Sequence, residues 1–297
     1  MPGFVRGALT FCFYILFTTV IFFVMQLVVL LKFLIPEARA RSSLTRVVDF
    51  LASTCWVFCA NTTNRLFART QIHMGEIPDV NSRKWCLLLS NHQSWVDILV
   101  ILRVFFRRLP PYKFFVKKEL LWLPFIGQAF WALDFPIMKR YSREFTAKHP
   151  HLKGIDLEAA RRACEKFQER PVTVMNFVEG TRFTPAKHRK QQSPYSHLLK
   201  PRAGGTALVL YAMGDVLEQI VDVTIIYPEG VPGLWQFFCG RCREVVADVR
   251  ILHPGSEIIG NYYNDPEFKA SFQSWINGLW RDKDERISRL LSLYQAK

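Results

Sequence analysis

The chain opens on one long apolar block and then breaks into short apolar runs, each ended by polar residues. Gly7 to Leu31 carries no charged side chain over 25 positions. At the helical rise such a segment spans roughly 37 Å, more than a hydrocarbon core requires, and it reads as a transmembrane or deeply inserted helix. Ala38-Arg39-Ala40 has the form of a cleavage site, but the block is far longer than the apolar region of a secretory signal. Lys32, Arg39, Arg41 and Arg46 follow it, against Arg6 alone before it. That asymmetry places the rest of the chain on the cytoplasmic side and leaves the Asn61-Thr62-Thr63 sequon unused. Val47 to Phe67 is apolar but interrupted by Asp49, Asn61, Asn64 and Arg65, the pattern of an interfacial helix or of the return arm of a helical hairpin. Turn-like residues from Gly75 to Lys84, with Pro78 and Asp79, mark the boundary that follows. The expected organisation is an anchor over residues 1–70, with helices at about 7–31 and 47–67, and a second domain over 71–297 that ends in a helical segment.

Beyond the boundary the pattern alternates between short runs and helical periods. Trp85-Cys86-Leu87-Leu88-Leu89 is a buried strand ending in the loop SNHQSWVD, Ser90 to Asp97. Ser94-x-x-Asp97 before Ile98-Leu99-Val100-Ile101-Leu102 has the spacing of a capped helix beginning at Ser94. Tyr112 to Val116 reads as a further strand. Leu121 to Trp131 is apolar and aromatic, either a second patch against the membrane or a wall of the core. Asp156 can cap a helix with apolar positions at Leu157, Ala160, Cys164 and Phe167, ending before Pro171. Val172 to Val178 is a β-branched strand that stops at Glu179-Gly180-Thr181-Arg182. Ala203 to Met213 reads as a helix closed by Gly214, Val245 to Leu252 alternates like a strand, and Asp265-Pro266 opens a long charged helix or helix pair in which no chemistry is evident. This is α/β patterning: a mixed, mainly parallel sheet flanked by helices, behind an N-terminal membrane helix or hairpin. Ligands in such sheets gather beyond the carboxyl ends of the strands, which puts the His92 loop and the Glu179 loop at one edge.

Composition narrows the picture. The 297 residues are 50% apolar, ample for a core, and 39 Lys and Arg against 25 Asp and Glu give a formal charge of +14. Such a surface favours polyanions or anionic lipid, or serves solubility alone. Phe 25 and Trp 8 suit a protein resting against a bilayer interface. Of 7 cysteines, Cys239 and Cys242 form a C-x-x-C, but no second pair follows and His253 does not complete a zinc site, so no metal is expected. Hydrolase elbow, P-loop and H-E-x-x-H patterns are absent.

His92 and Asp97 carry the candidate chemistry. A carboxylate that accepts one ring N–H fixes the tautomer and stabilises the imidazolium, so the other nitrogen can take a proton from a hydroxyl. Taken alone, the H-x4-D spacing fits equally a histidine beside a routine first-turn aspartate. Arg182 offers a forked guanidinium for phosphate, with Glu179 orienting it or binding a hydroxyl; alone, EGTR is also an ordinary strand-end turn.

Together the blocks are more specific. NH-x4-D at Asn91 to Asp97, FPIMKR at Phe135 to Arg140, FVEGTRFTP from Phe177, LLKPRAGG from Leu198 and DVTIIYPEG from Asp222 stand in that order. Over roughly Leu87 to Pro228 they resemble the PlsC-type 1-acylglycerol-3-phosphate acyltransferase superfamily, most of all its branch of YihG-like proteins and lysocardiolipin acyltransferases. The resemblance implies His92 as general base on an acceptor hydroxyl with Asp97 holding it. It implies Arg140 and Glu179, Gly180, Thr181 and Arg182 as the site for the acceptor's phosphate and glycerol, and Tyr227 and Pro228 on the acyl-donor side. The FPIMKR block departs from the glycine-led form of many members, which bears on Arg140 and on acceptor choice. Lys187 to Lys190, Lys200 and Arg202 add cations at this edge, either for donor phosphates or anionic lipid, or as a solvated basic loop. The implied reaction moves an acyl group from acyl-CoA or acyl carrier protein to the sn-2 hydroxyl of lysophosphatidic acid, with no further cofactor, at a membrane and without nucleic acid. Another lysophospholipid, lysocardiolipin among them, is an alternative acceptor. A non-catalytic protein that binds anionic lipid is the alternative from another class.

Overall fold

The sheet is built outward from its most apolar strand. In the computed structural model, which describes residues 1–75, 78–122, 126–133, 135, 137–138, 164, 167 and 170–295, β2 (Trp85–Ser90) is central. Its neighbours are β6 (Thr173–Phe177) and β7 (Leu217–Ile226), both parallel to it. A strand covered on both faces has to be apolar throughout, and Cys86, Leu87, Leu88 and Leu89 are fully buried. Beyond β7 lie β8 (Glu244–Leu252), antiparallel to it, and β1 (Gln71–Met74); beyond β6 lies β3 (Tyr112–Lys113). The run expected as one strand from Tyr112 to Val116 divides: β4 (Val116–Lys117) pairs instead with β5 (Ile137–Met138) in a separate two-stranded sheet.

Strand alternation decides which helices cover which face. Leu87 and Leu89 pack with α7 (Ala203–Met213) and with α9 (Pro266–Gln295), through Val209, Leu210, Phe272, Ile276 and Trp280. Cys86 and Leu88 face α4 (Val96–Val104) and the short helix α8 (Leu234–Phe238), through Val100, Ile101, Val104 and Phe237. In chain order α5 (Ile126–Ala132) and α6 (Pro185–Gln191) stand between α4 and α7. Most of the helix expected from Asp156 lies outside the described residues; Cys164 and Phe167 are buried against the Leu87 face. Met213 ends α7 as expected, but Gly214 is right-handed helical and is no left-handed cap. Close packing requires it, since a Cβ there would stand 2.6 Å from the Leu210 carbonyl oxygen and 2.7 Å from Ile259. The C-terminal segment is one helix, its start capped by Asp265 Oδ1, which accepts from the N–H groups of Glu267 and Phe268 at 3.0 Å.

The N-terminal part is a hairpin. Helix α1 (Gly3–Leu34) is followed by α2 (Ala38–Phe50), a π-helical turn, α3 (Trp56–Thr63) and a second π turn ending at Ala68. By length and composition both arms could cross a membrane. Two of the four polar residues that interrupt the second arm, Asp49 and Asn64, are turned toward the domain, while Arg65 is exposed. Asp49 takes Lys113 Nζ at 2.8 Å and Arg170 at 3.3 Å, and Asn64 Oδ1 accepts from Arg103 at 2.6 Å. Helix α1 lies along the domain: Gly7 sits so close to Cys239 that a Cβ would be 2.6 Å from its Sγ, while Met25, Val28 and Val29 pack with Val48 and Ala132.

Candidate functional site

The site lies where three parallel strands end side by side. Ser90 of β2 is in register with Phe177 of β6 and with Val223 of β7, so His92 and Glu179, each two residues further on, meet, and Tyr227 follows on the other flank. Asn91 holds the end of β2 against β7 beyond the ladder. Its Oδ1 accepts from Ile225 N–H and its Nδ2 donates to Ile225 C=O, both at 2.8 Å.

His92 and Asp97 form the expected pair. Nδ1 lies 2.8 Å from Asp97 Oδ2, the His92 side chain is 12% exposed and the Asp97 carboxylate is fully buried. Helix α4 begins at Val96, two residues after Ser94. Ser94 Oγ accepts from Val96 N–H at 3.1 Å and donates to Pro232 C=O at 2.6 Å. The turn aims two more donors at Asp97 Oδ2: the N–H groups of Gln93 at 2.6 Å and Ser94 at 2.8 Å. Tyr227 O–H completes the set, donating to Oδ1 at 2.6 Å. Burial, and then the charge of Asp97, push the Tyr227 phenol well above its usual range, so it stays a donor. The Phe177 ring stacks on His92 at 4.0 Å. A histidine committed through Nδ1 to a buried carboxylate keeps Nε2 for proton exchange.

Glu179 sits differently from its expected place beside Arg182. Fully buried, it spends its oxygens on backbone: Oε1 accepts from His92 N–H and Oε2 from Leu199 N–H, each at 3.3 Å. Burial pushes its carboxyl up to about 8, against the two N–H donors, with Asp97 adding to the rise. Arg182 is exposed and lies over the Trp95 ring at 4.6 Å. Gly180 is left-handed at φ +66°, and a Cβ there would stand 3.0 Å from Arg202 Cδ, which places Arg202 against this turn. Lys187 Nζ donates to Thr181 Oγ1 at 2.7 Å and to Arg182 C=O at 3.0 Å, bracing the loop. Lys200 is exposed, its N–H donating to Gln191. Arg140 lies outside the described residues. Tyr227 is buried against Asp97 and Pro228 half-buried beside it.

The C-terminal helix reaches this centre, which its charge pattern gave no reason to expect. Trp280 Nε1 donates to Leu199 C=O at 3.1 Å, and Leu199 N–H donates to Glu179. Lys283, fully buried, donates to Val223 C=O at 2.7 Å and Thr224 Oγ1 at 3.1 Å, and pairs with Asp222 at 2.6 Å. Burial alone would raise the Asp222 carboxyl, but Lys283 and Arg250 outweigh it and hold the group below its ordinary value. Cys239 and Cys242 are free and buried.

Comparison with known proteins follows the same lines. A family model described as "Acyltransferase" matches residues 71–230, more than half of the chain. The Arabidopsis thaliana protein 1-acyl-sn-glycerol-3-phosphate acyltransferase 3 is 24% identical over 90% of this chain and 70% of its own length. Lysocardiolipin acyltransferase 1 of Danio rerio is 25% identical over 40% of this chain and 32% of its own. The crystal structure of the 1-acyl-sn-glycerophosphate acyltransferase PlsC from Thermotoga maritima superposes with a TM-score of 0.54 at 17% identity, covering 99% of this chain and 98% of that one, a likeness of fold.

Proposed function

This chain belongs to the acyltransferase family, and we propose that within it the protein transfers a fatty acyl group from an acyl thioester to the sn-2 hydroxyl of lysophosphatidic acid, giving phosphatidic acid. The observation that carries this reading is the His92–Asp97 pair at 2.8 Å, at the edge where β2, β6 and β7 end. His92 Nε2 takes the proton of the acceptor hydroxyl as its oxygen attacks the thioester carbonyl. The tetrahedral intermediate then expels the thiolate of CoA or carrier protein, which recovers that proton from the imidazolium. Asp97 stabilises the imidazolium while it exists. The thioester is already a good leaving group, so the reaction needs neither a metal nor a covalent enzyme intermediate. Arg182, with Arg202 and Lys200, supplies cations for the acceptor's phosphate on the Glu179 side. The hairpin holds this edge at a membrane, with the catalytic domain on the cytoplasmic face.

A second acceptor reading, a larger lysophospholipid such as lysocardiolipin, is favoured by the name of the Danio rerio relative. One assay tests both. Purified protein in mixed micelles receives labelled acyl-CoA, or acyl carrier protein, together with lysophosphatidic acid or other lysophospholipids, and His92→Ala serves as control. Loss of a general base costs about 10²- to 10⁴-fold in rate. Fastest transfer to lysophosphatidic acid with an inactive variant is the expected result. A faster rate with another lysolipid moves the acceptor, and no transfer to any acceptor leaves an anionic-lipid-binding protein.

A further inference from the structure

Helix α9 grips the loop between α6 and α7 with polar groups on one side. Trp280 and Asp284 stand four positions apart, one above the other on the same face. The Trp280 indole N–H donates to Leu199 C=O at 3.1 Å. Asp284 takes two successive N–H groups, Ser196 on Oδ2 at 2.7 Å and His197 on Oδ1 at 2.8 Å. One turn earlier the Tyr195 O–H donates to Asn277 C=O at 3.3 Å. From Leu199 the connection runs on to the candidate base. Leu199 N–H donates to Glu179 Oε2, and Glu179 Oε1 accepts from His92 N–H, each at 3.3 Å. The same turn holds His92 from its other side, since Phe183 N–H donates to His92 C=O at 2.7 Å. Asp97 therefore fixes the imidazole at Nδ1, while the His92 main chain is placed by the Glu179 turn, and that turn leans on α9.

We propose that Trp280 and Asp284 are positioning residues for acyl transfer: they hold residues 195–199 so that Glu179 keeps the His92 backbone, and with it Nε2, in place for the acceptor hydroxyl. The inference rests on His92 as the base. Trp280 is fully buried, so it acts through the loop and not on a substrate. Covering the sheet does not require these contacts, because Phe272 and Ile276 pack on the Leu87 face without any hydrogen bond to the loop. Neither Trp280 nor Asp284 lies within the stretch 71–230 that the acyltransferase model matches. A base depends on such support, since a displacement of about 1 Å caused far from the chemistry can cost roughly 10²-fold in rate.

The test compares steady-state transfer in micelles, corrected for folded fraction, for wild type, Trp280→Phe, Asp284→Ala and the packing control Ile276→Val. Trp280→Phe should lower kcat about 2- to 12-fold, the scale of one hydrogen bond lost from the transition state, with KM for acceptor and thioester unchanged. Asp284→Ala, at a half-buried position that puts folding at little risk, should act in the same direction, and Ile276→Val should leave kcat at the wild-type value. In a Glu179→Gln background the chain is already cut beside His92, so Trp280→Phe should cost almost nothing further. A raised KM with kcat intact, or fully additive losses in that cycle, overturns the proposal. A second readout needs no turnover: the ring nitrogen resonances of isotope-labelled histidine, with His92 assigned by its loss in His92→Ala. They should move in Trp280→Phe and Asp284→Ala and stay in place in Ile276→Val. Unmoved resonances in both loop variants refute the positioning role. An active His92→Ala would instead sink the base assignment, while shifted resonances in the loop variants would leave the link from α9 to His92 standing.

Discussion

Tyr227→Phe isolates one hydrogen bond. The substitution removes only the hydroxyl that donates to Asp97 Oδ1 at 2.6 Å, and the ring keeps its buried place. Asp97 is fully buried, so no water replaces the donor. A hydrogen bond to a charged group is worth about 1.5–3 kcal/mol. Oδ2 keeps its three donors, so the carboxylate remains in position but loses the contact that fixes its plane and supports its charge. If the whole loss falls on the transition state, where the imidazolium needs that charge, the rate falls by roughly 10- to 150-fold. The expected result is a fall in kcat within that range, with KM for acceptor and thioester unchanged, because Tyr227 would touch neither. In an Asp97→Ala background the same change should cost almost nothing, as expected for two residues acting as a unit. Steady-state acyl transfer in micelles reads all four variants of the cycle. A raised KM for the thioester with kcat intact would refute the reasoning and return Tyr227 to the donor side, where the family resemblance had put it.

Glu179 makes stability depend on pH. Its carboxyl moves from an ordinary 4.5 to about 8, so the folded chain holds a proton that the unfolded chain has lost, and stability declines as pH rises through that window. The decline is roughly 1.4 kcal/mol per unit and ends above the folded value; Glu179→Gln should flatten it, and parallel melting-temperature profiles for the two proteins between pH 5 and 8 would contradict the assignment. Lys283→Met strands the buried Asp222 with only its arginine partners, at about 3 kcal/mol or more, and adding Asp222→Asn should recover part of that in chemical denaturation. No recovery would show the pair to be uncoupled. Gly180→Ala forces a left-handed φ of +66° on a residue with a Cβ next to Arg202, and should cost about 1–2 kcal/mol in stability; an unchanged denaturation midpoint would mean that the turn relaxes freely.

The part of the site set by local rules was legible in the chain. Spacing alone placed Asp97 in the first turn of a helix, where it can reach back to His92, though the helix begins two residues later than Ser94, and the run of apolar residues ending at Ser90 announced the strand that presents them. What escaped depended on register between distant segments. EGTR suggests an acid beside its arginine, but the pairing of Ser90 with Phe177 carries Glu179 inward to the backbone of His92 and leaves Arg182 to Trp95. Tyr227 hides its role because its partner lies 130 residues earlier. The second arm of the hairpin looked too polar because a one-dimensional reading cannot show that Asp49 and Asn64 turn toward Lys113 and Arg103. Lys283 was one cation among many on a charged helix until β7 supplied a buried carboxylate at the matching height.

That last contact sets an order of assembly during synthesis. Strand β7 buries Asp222 in the middle of the sheet, and its fully buried counter-ion arrives from Lys283, 60 residues after Val223 in the chain. At ribosomal speeds of roughly 5–20 residues per second, Asp222 waits about 3–12 s for Lys283 to be made, and longer for it to clear the exit tunnel. Arg250 of β8 reaches Asp222 sooner, at 2.9 Å, but burying the carboxylate without Lys283 would still cost about 3 kcal/mol or more, so the strand that brings Tyr227 to Asp97 is not fully stabilised until the C-terminal helix has emerged. The hairpin proposed to enter the membrane is complete by Ala68, within the first quarter of the chain. On that proposal a nascent chain is tethered well before its candidate catalytic centre closes, and the completed site forms already at the surface where a lipid substrate would be found.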